Sequence, residues 1–281
     1  MKKIFKKIVI RSIGTELQVL YKLKPEKTLR KIFKLFCTPQ KGKFKELSVF
    51  LTQAKGAKFN ISGESVQTYH WEGPAKHILL VHGWQSNSSR WEGLIGKLQQ
   101  KNHAVTAVDL PAHGNSTGKH LDLRLISATV KTCLEKFQPD MIIAHSLSAS
   151  GIVYENWRNP LSENLKLILL SPPAEMIDLL ENFRSILHLP QKIINQLDPL
   201  VQENLGVSKS DCSIPKFAEN LTQEGLLLHD RQDKIVPLSA AKKLNRAWKK
   251  GEFIVTNNSG HSLNDAHCQK TILNFVENQF P

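Results

Sequence analysis

The stretch Met141-Ile142-Ile143-Ala144-His145-Ser146-Leu147-Ser148-Ala149 decides how this chain is read. A short apolar run stops at a serine whose neighbours two positions away are the small residues Ala144 and Ser148. Where a strand turns abruptly into a helix, the backbone is crowded at those two positions, so they must be small while the turn residue projects into an open cleft. The usual pattern is G-x-S-x-G; here it is Ala144-x-Ser146-x-Ser148. A serine at such a point is also a common helix N-cap. The segment therefore takes its chemical meaning from what surrounds it.

Upstream, His77-Ile78-Leu79-Leu80-Val81-His82-Gly83-Trp84 is an apolar run that ends in His-Gly, the pattern of a buried parallel strand entering a glycine turn. Downstream, Gly225-Leu226-Leu227-Leu228-His229-Asp230-Arg231-Gln232-Asp233 carries another such strand into acidic residues, and Pro237 follows. Glu252-Phe253-Ile254-Val255-Thr256 then leads to Asn257-Asn258-Ser259-Gly260-His261. The order along the chain is Ser, Asp, His. Between the first two strands lies Val108-Asp109-Leu110-Pro111-Ala112-His113-Gly114-Asn115-Ser116-Thr117-Gly118.

With these motifs in this order, the chain resembles the α/β-hydrolases, and in particular their esterase-like and serine-peptidase-like members, from about Glu64 to the C-terminus. The resemblance implies an α/β-hydrolase fold: a mostly parallel sheet with helices on both faces and a small helical cap. It also implies a Ser-Asp-His triad and a D-x-P-x-H-G-x-S-x-G loop after the fourth strand, which Asp109 to Gly118 matches. The departures are Ala144 and Ser148 where glycines are usual. Both are small enough for the turn to form, and glycine at position 148 is expected only to relieve crowding.

Each candidate has a distinct chemical task. Ser146 is a poor nucleophile until a base takes its proton, and His261 is the base, since an unperturbed imidazole titrates near about 6.5. A carboxylate must orient that imidazole and stabilise its charged form. Asp233 is the first choice because its spacing to Pro237 resembles the family's D-x-x-x-P; Asp230, nearer the strand end, is the alternative. The backbone N–H groups of Trp84 and Leu147 are the expected oxyanion donors. His82 reads as a brace for the oxyanion loop, His113 as loop packing, and His145 has no assigned catalytic role.

The resulting expectation is a cofactor-independent serine hydrolase. It would cleave a small-molecule carboxylic ester, or a thioester, lactone or small amide, through an acyl-enzyme. A non-catalytic ligand-binding protein on the same fold stays open, because fold alone does not fix function. With no H-E-x-x-H, no Cys/His cluster and no phosphate-binding glycine loop, neither metal nor cofactor is expected. The four cysteines, Cys37, Cys133, Cys212 and Cys268, have no metal-ligand spacing and read as reduced thiols of a cytoplasmic chain.

The net charge of +13 lies entirely in the first 60 of the 281 residues, which hold 16 Lys and Arg against 3 Asp and Glu; residues 61–281 hold 22 of each. Lys6, Lys7 and Arg11 interrupt the apolar run of the opening segment, so a signal peptide is not expected. Residues 1–60 read as a basic, partly helical extension and 61–281 as the hydrolase domain, with a cap expected over 172–216. In the extension, Phe5, Val9, Ile13, Leu17 and Leu20 form one helical apolar face, and Leu29, Ile32, Phe33 and Phe36 another. Packing against the enzyme is the plain reading of these faces; peripheral contact of residues 1–36 with an anionic membrane is the other, and no nucleic acid is expected. Strands are predicted over Leu47–Ala54 and Ser65–Trp71, and helices over Glu175–Leu187 and Gln191–Leu205. In the first of those helices Leu180, Phe183 and Leu187 are expected near the acyl pocket.

Overall fold

The computed structural model describes residues 2–278. Met1, the first residue of the stretch expected to meet a membrane, lies outside the described residues. The chain opens with α1 (Lys2–Leu23), α2 (Pro25–Phe36) and the short α3 (Val49–Thr52), followed by β1 (Lys55–Ile61), β2 (Glu64–Trp71) and β3 (His77–Val81). A 3-10 turn at Ser88–Trp91 leads to α4 (Glu92–Gln100), β4 (Ala104–Val108), α5 (Leu123–Phe137), β5 (Met141–His145), α6 (Leu147–Arg158) and β6 (Lys166–Leu170). Then come α7 (Met176–Leu187), α8 (Gln191–Asn195), α9 (Asp198–Leu205) and α10 (Ile214–Ala218). The last elements are β7 (Gly225–Asp230), α11 (Leu238–Ala247), β8 (Gly251–Thr256) and α12 (Ala266–Val276).

The eight strands form one sheet in the order β1-β2-β4-β3-β5-β6-β7-β8, antiparallel at β1, β2 and the β2–β4 contact and parallel from there on. This is the mostly parallel sheet of an α/β-hydrolase fold. The central strands are apolar on both faces because helices cover both. Ile78, Leu80, Met141, Ile143, Ile168, Leu170, Leu226 and Leu228 pack with Leu94 and Leu98 of α4 and Ile272 and Val276 of α12. The alternate residues Leu79, Val81, Ile142, Ala144, Leu167, Leu169 and Leu227 are equally buried. Asp122 caps α5 by accepting from the Leu125 amide at 2.9 Å. Asp265 caps α12 by accepting from His267 and Cys268.

Two local expectations are corrected. Leu47–Ala54 is not a strand: Ser48 caps a single helical turn by accepting from the Leu51 amide. The strand that pairs with β2 is β1, in register from Lys55↔His70 to Ile61↔Glu64. Its hairpin is a two-residue turn in which Ser62 (φ 52°) and Gly63 (φ 87°) both take positive φ. Gln191–Leu205 is two helices rather than one, because Pro199 sits in the first turn of α9 and can only begin a helix.

By packing, the chain divides into two compact units: the chain up to Thr38 with Glu175–Ser213, and Pro39–Ala174 with the chain from Ile214 onward. The second unit contains the whole sheet. The first is helical and joins the N-terminal helices to the segment expected to be a cap. Within it, Gly14 of α1 lies against the Leu187 carbonyl, Tyr21 donates to Gln196 at 2.6 Å, and Gln18 donates to the His188 carbonyl at 3.1 Å. The Phe36 and Phe183 rings meet edge to face, with centroids 5.4 Å apart. Phe183 and Leu187 thus have partners in the N-terminal helices. Leu17 and Ile32 are buried, whereas Phe5 and Val9, expected on the same face as Leu17, are 69% and 40% exposed. The packed side of α1 is centred on Gly14 because only a residue without a Cβ lets the Leu187 carbonyl approach. Among the described residues no helix is long and apolar enough to cross a membrane.

Candidate active site

Ser146 sits where β5 ends and α6 begins, at φ 55° and ψ −125°. A non-glycine residue held at positive φ stores roughly 1–3 kcal/mol of strain and persists only when its surroundings enforce it. They do. The Ser146 amide donates to the Leu170 carbonyl on the neighbouring strand at 2.7 Å. The Ser148 hydroxyl donates to the carbonyl of His82. Gly83 packs so closely that a Cβ there would lie 2.8 Å from His145 Nδ1 and 2.9 Å from Ser146 Cβ.

Three loops from three strand ends meet at this serine. His261, after β8, brings Nε2 to 3.0 Å from Ser146 Oγ. Its Nδ1 lies 2.7 Å from Asp233 Oδ2, after β7. The Asp233 side chain is fully buried. Burial by itself raises the pKa of a carboxyl, but the hydrogen bonds from His261 and from the Val236 and Ile235 amides outweigh it and hold Asp233 below the ordinary carboxylate range. Asp233 is therefore anionic and fixes His261 with Nδ1–H toward it. Nε2 is left to accept a proton.

Asp230, the alternative carboxylate, has other partners. It accepts from the Gln232 amide at 2.8 Å, from Thr256 Oγ1 at 2.9 Å and from the Ser259 amide at 2.9 Å. It ties β7 to β8 and to the loop that carries His261. The structure thus brings Ser146, His261 and Asp233 into one chain of hydrogen bonds and leaves Asp230 outside it.

Trp84 and Leu147, the expected oxyanion donors, follow Gly83 and Ser146 directly. Among the described residues neither backbone amide has a protein acceptor. The loops around them are braced from below. His82 accepts from the Leu110 amide at 3.0 Å and His113 from the Gln85 amide at 3.0 Å. Asp109 accepts from the Ser88 amide and hydroxyl, the Tyr69 hydroxyl and the Asn115 amide. The Gly42 carbonyl accepts from the Gly114 amide and Asn87 Nδ2, and Lys43 donates to the Ser116 carbonyl. Residues 42–43 thus brace the loop after β3 and the loop after β4, although they precede the first strand.

The sequence reading gave His145 no catalytic role and did not single out Arg90. His145 Nε2 lies 2.8 Å from the carbonyl oxygen of His261, and Arg90 Nη2 lies 2.7 Å from that of Ser262. Burial, together with the nearby charge of Arg90, holds the His145 pKa well below that of an ordinary imidazole. It is neutral and donates from Nε2. The only sequence signal for such a role was the position of His145 next to the serine.

Comparison with known proteins agrees with this architecture. A model of the alpha/beta hydrolase family matches residues 78–208. The chain is 24% identical over 230 residues to the AB hydrolase superfamily protein YisY of Bacillus subtilis, covering 67% of this chain and 86% of that protein. It is 21% identical over 241 residues to a pimeloyl-[acyl-carrier protein] methyl ester esterase of Vibrio campbellii, covering 69% of this chain and 91% of that one. Among solved structures, Est1E of Butyrivibrio proteoclasticus with bound ferulic acid superposes with a TM-score of 0.65 at 17% identity, covering 79% of this chain and 98% of that chain. The chain has the α/β-hydrolase fold and resembles that family in sequence. Its relatives support hydrolase chemistry in general terms.

Proposed function

We propose that the protein is a serine hydrolase that cleaves carboxylic esters through an acyl-enzyme. The observation that carries this reading is the continuous hydrogen-bond chain Asp233–His261–Ser146, at 2.7 and 3.0 Å, next to the amides of Trp84 and Leu147, which have no protein acceptor among the described residues. Ser146 Oγ attacks the ester carbonyl as His261 Nε2 takes its proton. Asp233 stabilises the resulting imidazolium. The oxyanion is held by the Trp84 and Leu147 N–H groups, and removal of one donor of this type typically costs about a hundred- to a thousand-fold in rate.

Collapse of the tetrahedral species breaks the carbonyl–alkoxide bond, and His261 returns its proton to the departing alcohol. Water, deprotonated by the same Nε2, then attacks the acyl-serine and releases the acid. No step needs a cofactor. A thioester, lactone or small amide would follow the same course, and the similarity to a methyl ester esterase favours the ester. A cytoplasmic location fits the four cysteines, all buried and none in a disulfide among the described residues.

The test is the hydrolysis of short-chain aryl esters by a variant series. Ser146→Ala and His261→Ala should each abolish turnover, and by similar factors, because triad members act as a unit. Asp233→Asn should lose most of it, and Asp230→Asn far less. Normal turnover by Ser146→Ala would reject the reading, and silence of Asp233→Asn beside loss in Asp230→Asn would reassign the carboxylate.

A further inference from the structure

The sheet unit is accounted for by the site it builds, but α1 is not accounted for by its packing. A helix that docks on its neighbours needs one apolar face. That face is supplied by Gly14, seated on the Leu187 carbonyl, and by buried Leu17. Yet α1 carries a second apolar face. Phe5, Ile8, Val9, Val19 and Leu23 are 69%, 58%, 40%, 53% and 70% exposed. At 3.6 residues per turn these five positions fall within an arc about 100° wide, on the side away from Gly14. Ser12 and Glu16 interrupt the stripe between its two apolar ends, and Glu16 is matched by Lys31 at 2.7 Å.

Charge identifies what this face fits. The 22 residues of α1 contain six basic residues (Lys2, Lys3, Lys6, Lys7, Arg11 and Lys22) and one acidic residue, Glu16. A second copy of the chain would set this excess against itself, and five side chains in an interrupted stripe make a small area for a stable dimer. An anionic surface meets both halves of the pattern, since apolar side chains enter the headgroup boundary while lysine and arginine face the phosphates. We propose that the outward face of α1 docks the protein on membranes rich in anionic lipid. The inference does not depend on the catalytic reading.

Full-length protein is sedimented at low salt with phosphatidylcholine vesicles, and with vesicles in which about one-third of the lipid is phosphatidylserine. Binding is expected to the anionic vesicles alone. It should fall about ten-fold or more when the salt is raised, because the interaction of exposed charges with a surface is screened. The triple variant Phe5→Ser/Ile8→Ser/Leu23→Ser should lose binding by a similar factor at an unchanged melting temperature, since all three side chains are exposed. In a Phe5→Trp variant, tryptophan emission should shift to the blue on addition of anionic vesicles. Absence of binding, equal binding to neutral vesicles, undiminished binding by the triple variant, or no emission shift would overturn the proposal. So would a dimer in sedimentation equilibrium that the triple variant abolishes, which would assign the face to a second copy.

Discussion

The imidazole of His145, the residue before the candidate nucleophile, donates to the main-chain carbonyl of His261, the candidate base, at 2.8 Å. Arg90 holds the next carbonyl, that of Ser262, at 2.7 Å. Two consecutive peptide units behind the candidate base are thus pinned from the end of β5 and from the 3-10 turn after β3. Small displacements at a reacting centre cost rate far more than binding, up to about a hundred-fold for 1 Å. His145→Ala should lower kcat about ten- to a hundred-fold with KM nearly unchanged. His145→Gln, which keeps a donor, should recover part of that loss. Steady-state kinetics of the two variants decide the point, and equal kcat in both would remove the positioning role.

Ser148 gives a second prediction, and it differs from the expectation that glycine there only relieves crowding. Its hydroxyl donates to the His82 carbonyl and so ties the first turn of α6 to the end of β3. Ser148→Gly breaks that bond and leaves a buried carbonyl short of a donor, at a cost of about 1–3 kcal/mol. The melting temperature should fall and kcat should drop. Ser148→Ala should show the loss of the hydrogen bond without added backbone freedom. A melting temperature that rises in Ser148→Gly would contradict the assignment.

Gly14→Ala sets two effects against each other. Alanine in a helix interior is ordinarily more stable than glycine by about 1 kcal/mol. Here the new Cβ would lie 1.9 Å from the Leu187 carbonyl oxygen and 3.0 Å from its carbon, both backbone atoms of α7. Such overpacking costs about 1–3 kcal/mol, so the clash should win. Thermal denaturation of the full chain should therefore show Gly14→Ala destabilised; a stabilised variant would mean that α1 does not pack on α7 at this point.

Acid should weaken the fold before the carboxylates titrate. Burial holds the pKa values of His82, His145 and His229 below that of an ordinary imidazole. The unfolded chain takes up protons near about pH 6.5. Between the folded and unfolded pKa values the unfolded state therefore binds more protons, and stability rises with pH. The contribution of these histidines is complete above the unfolded pKa and is lost as pH falls below it, by up to about 1.4 kcal/mol per pH unit for each group. Asp230 and Asp233, whose pKa values are lowered, lose their contributions only below about pH 4. The melting temperature should decline between pH 7 and 5, and the decline should be shallower in His145→Gln. Identical slopes for the two proteins would show that His145 is not held neutral.

The strands and the turns that end them were readable because buried parallel strands are short uninterrupted apolar runs, and Gly83, Ser146 and Asp230 mark where those runs stop. β1 was not readable. As an edge strand it carries Lys55 and Lys58 outward, a pattern that protects an edge and hides the strand. Gln191–Leu205 kept its apolar period across Asp198-Pro199, so period alone could not place the break.

At the site, residue order along the chain narrowed the carboxylate to two residues, Asp230 at the end of β7 and Asp233 in the loop after it, and could go no further. Asp230 and Asp233 both accept backbone amides; only the distance to His261 separates them. The contacts of His145 and Arg90 were hidden for a related reason. Each acts on a backbone carbonyl more than a hundred residues away, and a carbonyl leaves no mark on sequence. The association of the N-terminal helices with residues 175–213 was equally hidden, because a periodic apolar face does not name its partner.

The central claim is that Ser146, activated by His261, forms a covalent intermediate. The most direct measurement is intact-mass and peptide-mass analysis after reaction with an alkyl fluorophosphonate, which phosphonylates an activated serine and is not turned over. A single adduct should form on the peptide containing Ser146, be absent in Ser146→Ala, and form far more slowly in His261→Ala. No adduct on the native protein, an adduct on another serine, or undiminished labelling of His261→Ala would contradict the account.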